Sequence, residues 1–229
     1  VIDMLNAVPS FNHHYEVYGF YSPAVEDYVR MRIMDWQETP EYEALLRIVE
    51  PYEYRDRLTM PKFLINATGD QYFLPDSSRF YFDELKGPKW LRYIPTADHS
   101  LKGSDAWESL AAFYKALLHG ETVPTFTWTI EDDGLIQVRT MDNPSAVKLW
   151  QATNTEARDF RLETIGKGWT SSTLADQGKG LYIAKVSSPE KGWTAFMVEM
   201  TYDAKPLPFK FTTPVRVIPD TTLHKLKPA

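Results

Sequence analysis

The chain reads as an α/β protein in two parts: a partial parallel sheet with helices, followed by an all-β region of short antiparallel strands. Three observations predict this. Up to about residue 120, apolar strand-like runs alternate with helix-like segments. At Gly120-Glu121-Thr122-Val123-Pro124 the pattern changes, and about seven short alternating runs follow, separated by turn residues. Within the first part, two successive strand-like runs end in polar groups: Gly69-Asp70 after the first and Asp98-His99-Ser100 after the second. The expected boundaries are 1–120 for the α/β part, with a helical insertion at about 9–58, then 124–218 for the β part and 219–229 for a polar, frayed tail.

The elements follow in order. Val1-Ile2-Asp3-Met4-Leu5 resembles the end of a strand. The segment from Val8 to Leu58 is rich in aromatics, among them Tyr15, Tyr18, Phe20, Tyr21, Tyr28, Trp36, Tyr42, Tyr52 and Tyr54, and Glu41 to Val49 reads as a helix. Such a piece inserted between two strands commonly covers an active site; the plain alternative is a set of surface helices packed on the sheet. Pro61 opens a strand that runs to Ala67. Ser77 to Lys86 reads as a helix, with Asp76 as its N-cap and Gly87 as its stop. Trp90 to Ile94 is the second strand. Ser104 to His119 reads as a helix whose apolar face would be Trp107, Leu110, Ala111, Tyr114 and Leu117.

Beyond Pro124 the expected strands are Thr125–Ile130, Leu135–Thr140, Ala146–Ala152, Phe160–Thr164, Leu181–Val186, Thr194–Tyr202 and Phe209–Val217. This spacing suggests an immunoglobulin- or fibronectin-like β-sandwich, with Trp150 a core residue.

Composition narrows the function. The net charge is −6 and no basic block occurs, which argues against nucleic acid as a partner. Cysteine is absent, so disulfides, thiolate metal sites and a cysteine nucleophile are excluded. No apolar run reaches the roughly 18 residues of a membrane span. No signal peptide is visible, although a part of a longer protein would have lost one. Hydrophobic residues make up 43% of the chain, enough for a packed core.

An acid after one parallel strand and a histidine after the next emerge at the same sheet edge, where ligands bind. In that order they match the back half of a Ser…Asp…His triad, with Asp70 orienting His99. Each has a plainer reading, Asp70 as a turn residue and His99 as a helix-entry residue. Asp76 is a rival acid better explained by capping, and Asp98 is too close in sequence to orient the ring. The nucleophile is missing. The chain has 11 glycines, no two of them four apart, so Gly-x-Ser-x-Gly cannot occur. The chain therefore reads as the C-terminal part of a longer hydrolase, or alternatively as a pseudoenzyme. His13-His14 reads as structural, because adjacent histidines share no face for chelation. Asn66-Ala67-Thr68 matches a glycosylation sequon but ends a buried strand. No substrate-binding or metal-binding residue is identified.

The segments VIDMLN, FNHHYEVYGFYSPAVEDY and VEPYEYRDRLTMPKFLINATGDQYFLPDSSRFYFDELKGPKWLRYIPTADHSL together resemble the PhoPQ-activated pathogenicity-related proteins. The resemblance is dense from Val1 to about Leu118 and looser beyond. It implies a secreted or periplasmic, virulence-related member of the α/β-hydrolase superfamily. It also implies an upstream portion with the rest of the sheet, an oxyanion hole and an elbow of the form Gly-x-Ser-Lys-Arg-Gly. Asp70 would be the family's acid and His99 its histidine. The implied activity is hydrolysis of a small-molecule ester or a peptide, without a cofactor. The alternative is a non-catalytic secreted binding or signalling protein on the same scaffold. Half a parallel sheet has an open edge, so the chain alone is expected to aggregate or to need its missing half.

Overall fold

A computed structural model describes residues 4–225. The expected strand at Val1–Leu5 falls largely outside them, and Met4, Leu5 and Asn6 are irregular. The chain then forms helices α1 (Ala7–Tyr18), α2 (Glu26–Arg30) and α3 (Pro40–Val49), linked by 3-10 turns at Pro23–Val25, Ile33–Trp36 and Pro51–Arg57. Thr39 caps α3 by accepting the Tyr42 N–H at 3.2 Å, Pro40 occupies its first position, and Glu41 and Glu43 lie in its first turn. These helices share a small core of Ala7, Phe11 and Val25 with Tyr21, Met34 and Leu46.

Strands β1 (Lys62–Ala67) and β2 (Lys89–Ile94) form a two-stranded parallel sheet in the register Lys62↔Lys89 to Ala67↔Ile94. The other edge of β1 has no strand partner among the described residues. The expected helix at Ser77–Lys86 is a 3-10 turn at Ser77–Phe80 followed by looser turns. Asp76 makes no cap, because its carboxylate is committed to ion pairs with Arg158, His13 and Arg79. Gly87 sits at φ 74, and a Cβ there would lie 2.2 Å from the Thr59 carbonyl oxygen.

Helix α4 (Ala106–His119) forms as expected but faces the other way. Trp107, Leu110, Tyr114 and Leu117 are exposed, while Ala106, Ser109, Ala112, Phe113 and Ala116 are buried. The small residues let the helix lie close against the strands beneath it. Arg92 of β2, 1% exposed, fixes it there through Asp105 and Ser109.

The remainder is antiparallel. Strands β3 (Phe126–Ile130), β4 (Leu135–Thr140) and β7 (Leu181–Lys185) make a three-stranded sheet in the order β3-β4-β7. Strands β5 (Ala146–Asn154), β6 (Thr170–Thr173), β8 (Trp193–Tyr202), β9 (Phe209–Thr212) and β10 (Arg216–Ile218) make a five-stranded sheet, ordered β10-β8-β5-β6 with β9 also on β8. The molecule thus combines helices with a small parallel sheet and antiparallel sheets. The expected strand at Phe160–Thr164 is instead a short helix, α5 (Leu162–Ile165). Asp159 causes this: its carboxylate accepts the Arg161 N–H at 3.0 Å and the Thr164 hydroxyl at 2.9 Å, so a local turn replaces a ladder. Pro214 splits the last expected strand into β9 and β10. The polar, exposed β6 carried no hydrophobic signal.

One core runs across both parts. Phe63 of β1 and Trp90 of β2 pack on Phe113 of α4 and Phe211 of β9, with ring centroids 5.0 to 6.4 Å apart. Tyr93 N–H donates to Thr212 Oγ1 at 2.9 Å. The C-terminal segment is tied down as far as it is described: Asp220 pairs with Arg79, Arg158 and Arg216. Residues 226–229 of the expected tail lie outside the described residues.

Candidate active site

The C-terminal ends of β1 and β2 are adjacent because the strands are parallel and in register, Ala67 opposite Ile94. The turn after β1 carries Asp70 and the turn after β2 carries His99. They meet: His99 Nδ1 is 2.9 Å from Asp70 Oδ2. Asp70 is 5% exposed, whereas the His99 side chain is 40% exposed. Asp70 Oδ1 accepts the N–H groups of Tyr72 (2.7 Å) and Phe73 (3.2 Å), so the turn itself fixes one carboxylate oxygen and leaves the other for the histidine. Burial pushes the Asp70 carboxyl above its ordinary range, against the opposing pull of His99 and these N–H groups.

A carboxylate at Nδ1 requires Nδ1–H, which leaves Nε2 as the basic nitrogen. Nε2 makes no hydrogen bond among the described residues. Tyr72 and Phe73 flank the ring, with centroids 4.4 and 5.7 Å away. An imidazole held in this way can accept a proton at Nε2 from an incoming hydroxyl and return it.

The backbone is drawn tight around the pair. Gly69 N–H donates to Ala97 O at 2.9 Å, and Gly69 O accepts the Leu162 N–H of α5 at 3.1 Å. A Cβ on Gly69 would lie 2.8 Å from that Leu162 nitrogen, so only glycine fits. Thr96 (φ 57) and Leu101 (φ 54) bracket the histidine turn in the left-handed region. Such a conformation is strained for a β-branched residue, at about 1–3 kcal/mol. The Thr96 N–H is held by Thr68 Oγ1 at 3.1 Å.

The other sequence candidates lie elsewhere. Asp98 bonds the N–H and hydroxyl of Ser100 and leaves the His99 ring to Asp70. Asp76 forms a buried cluster with Arg158 (2.8 Å) and His13 Nε2 (3.1 Å). Although burial pushes it up, these two partners hold its carboxyl well below the usual range. His14 is buried separately, accepting the Ser22 N–H at 3.0 Å. Asn66 Nδ2 donates to Tyr81 OH at 2.9 Å, and Thr68 is fully buried, which closes off the sequon. Sequence reading missed Arg158, Ser22 and Gln71. Most of their partners lie 28 or more positions away, and a single chain carries no signal for such pairings.

The dyad opens on the surface. Concavities of about 370 to 430 Å³ exist, but none of them is lined by Asp70 or His99. Behind Tyr72 and Phe73 there is space of only about 10 Å³. Among the described residues no group of three or more His, Asp or Glu side chains could hold a metal ion. No described helix is long and apolar enough to cross a membrane.

The model of a family described as "PhoPQ-activated pathogenicity-related protein" matches residues 1–161, which include both members of the dyad. A curated relative, "Autocrine proliferation repressor protein A" of Dictyostelium discoideum, is 36% identical over 251 aligned residues, covering 96% of this chain and 50% of the relative. The chain therefore spans about half the length of the curated relative it matches. No solved structure matches it.

Proposed function

The chain belongs to the PhoPQ-activated pathogenicity-related protein family, and on that premise we propose that it is the C-terminal part of a secreted or periplasmic serine hydrolase with an α/β-hydrolase fold. Asp70 and His99 are two members of its triad, and the serine lies upstream of this chain. The observation that carries the reading is the 2.9 Å contact of Asp70 with His99 Nδ1, made at the ends of neighbouring parallel strands with Nε2 left open. The open edge of β1 and the outward apolar face of α4 are where the rest of a parallel sheet and its helices would seat. The two antiparallel sheets form a sandwich of immunoglobulin or fibronectin type. The helical segment before β1 forms a cap.

In the complete enzyme the serine attacks an ester or peptide carbonyl while His99 Nε2 takes its proton. His99 then gives that proton to the leaving group, and a water repeats the cycle. Asp70 fixes the tautomer and stabilises the imidazolium. No cofactor is required. The test is labelling of the complete protein with a fluorophosphonate probe. His99→Ala is expected to cut the labelling rate by roughly 10³-fold or more in a folded protein. Labelling that persists would overturn the assignment.

The name of the Dictyostelium relative supports a second reading, a non-catalytic secreted binding or signalling protein on the same scaffold. A folded complete protein that takes up no probe would favour it.

A further inference from the structure

The turn that carries Asp70 is strapped to the helical segment that precedes β1. Ser22, 0% exposed, donates its hydroxyl to the Gln71 carbonyl at 2.6 Å. The Ser22 N–H donates to Nε2 of His14, which lies on α1 and is 1% exposed. Gln71 then reaches the second turn, its Oε1 accepting the His99 N–H at 3.3 Å. Three residues thus connect α1 to both turns of the dyad without touching the Asp70 carboxylate or the His99 ring.

The strap acts at a sensitive point. Asp70 Oδ1 is bound to the backbone at residues 72 and 73, so the direction of Oδ2 follows the position of the turn. Gln71 is the middle of that turn. A shift of about 1 Å in such a group is enough to cost large factors in rate. His14 suits the role because an acceptor at Nε2 must be unprotonated. Burial, the largest influence, lowers its pKa to about 4; Arg161 and His13 add to this, while the Tyr72 backbone and Asp159 oppose it.

We propose that Ser22, set in place by His14, is a positioning residue for the Asp70–His99 pair, tying the geometry of the dyad to the helical segment. This rests on the hydrolase reading. The test uses the complete protein with ¹⁵N-labelled histidine, in which the His99 Nδ1–H resonance is identified by its loss in His99→Gln. Ser22→Ala and His14→Leu are expected to broaden or abolish that resonance and to slow fluorophosphonate labelling about tenfold or more. His14→Gln, which keeps an acceptor for the Ser22 N–H, is expected to retain both. A folded Ser22→Ala with the resonance intact and labelling within about twofold of wild type would overturn the proposal. So would a His14→Leu protein that melts earlier with the resonance unchanged, the mark of a purely structural histidine. If the wild type takes up no probe, the hydrolase reading falls, and the resonance alone decides the strap.

Discussion

At the scale of single residues, the buried Asp70 works against the fold that holds it. Burial raises the Asp70 carboxyl, so the folded state keeps its proton longer than the unfolded chain does, and stability is lost as pH rises through that window. Asp70→Asn is therefore expected to leave the melting temperature unchanged or higher, while the labelling rate of the complete protein falls by roughly 10⁴-fold. A substantial drop in Tm would show that the ionised carboxylate stabilises the fold. His14 has the opposite sign. Its folded pKa of about 4 lies below the ordinary 6.5, so the unfolded chain takes up the proton first. Its contribution is complete above about pH 6.5 and declines toward pH 4, by about 3 kcal/mol in all. Urea melts of wild type and His14→Gln across that range should show the variant losing less stability on acidification. Asp70 and His99 were legible because each ends an apolar run, a one-dimensional signal. The partner of Asp76 was not, since Arg158 lies 82 positions away and nothing in its surroundings announces burial.

At the scale of elements, α4 shows where pattern reading misleads. The bulky positions Trp107, Leu110, Tyr114 and Leu117 carry the stronger hydrophobic signal, yet the alanine-rich face is the one that packs. Periodicity locates a helix and its two faces, but the choice between two apolar faces depends on how close the neighbouring strands come. The same limit explains α5, where one carboxylate, Asp159, turned an apparent strand into a helical turn. The outward face of α4 makes a prediction. In this chain alone, Leu110→Lys is expected to change stability by no more than about 0.5 kcal/mol and to reduce self-association in sedimentation. In the complete protein, where that face would be covered, the same change is expected to cost about 2 kcal/mol or more. Equal, negligible effects in both would mean that nothing seats on α4.

At the scale of the whole molecule, the boundary near residue 120 marks a change of pattern but not a break in the core. Phe211 of β9 is fully buried against Phe63 and Trp90 of the parallel strands as well as Phe126 of β3. Phe211→Ala is expected to cost about 3–5 kcal/mol. Tryptophan fluorescence and far-ultraviolet circular dichroism should still report one coincident transition. Two separated transitions would show that the halves unfold independently. The shared core was not legible because strand order and packing between distant segments leave no periodic trace in the chain. Gly69 carries this sharing to the dyad, since its carbonyl accepts the backbone N–H of Leu162 in the antiparallel part. For inheritance this means that the two parts are not interchangeable modules. A gene fusion that exchanged the C-terminal sheets for another set would deliver an acid turn with no backstop.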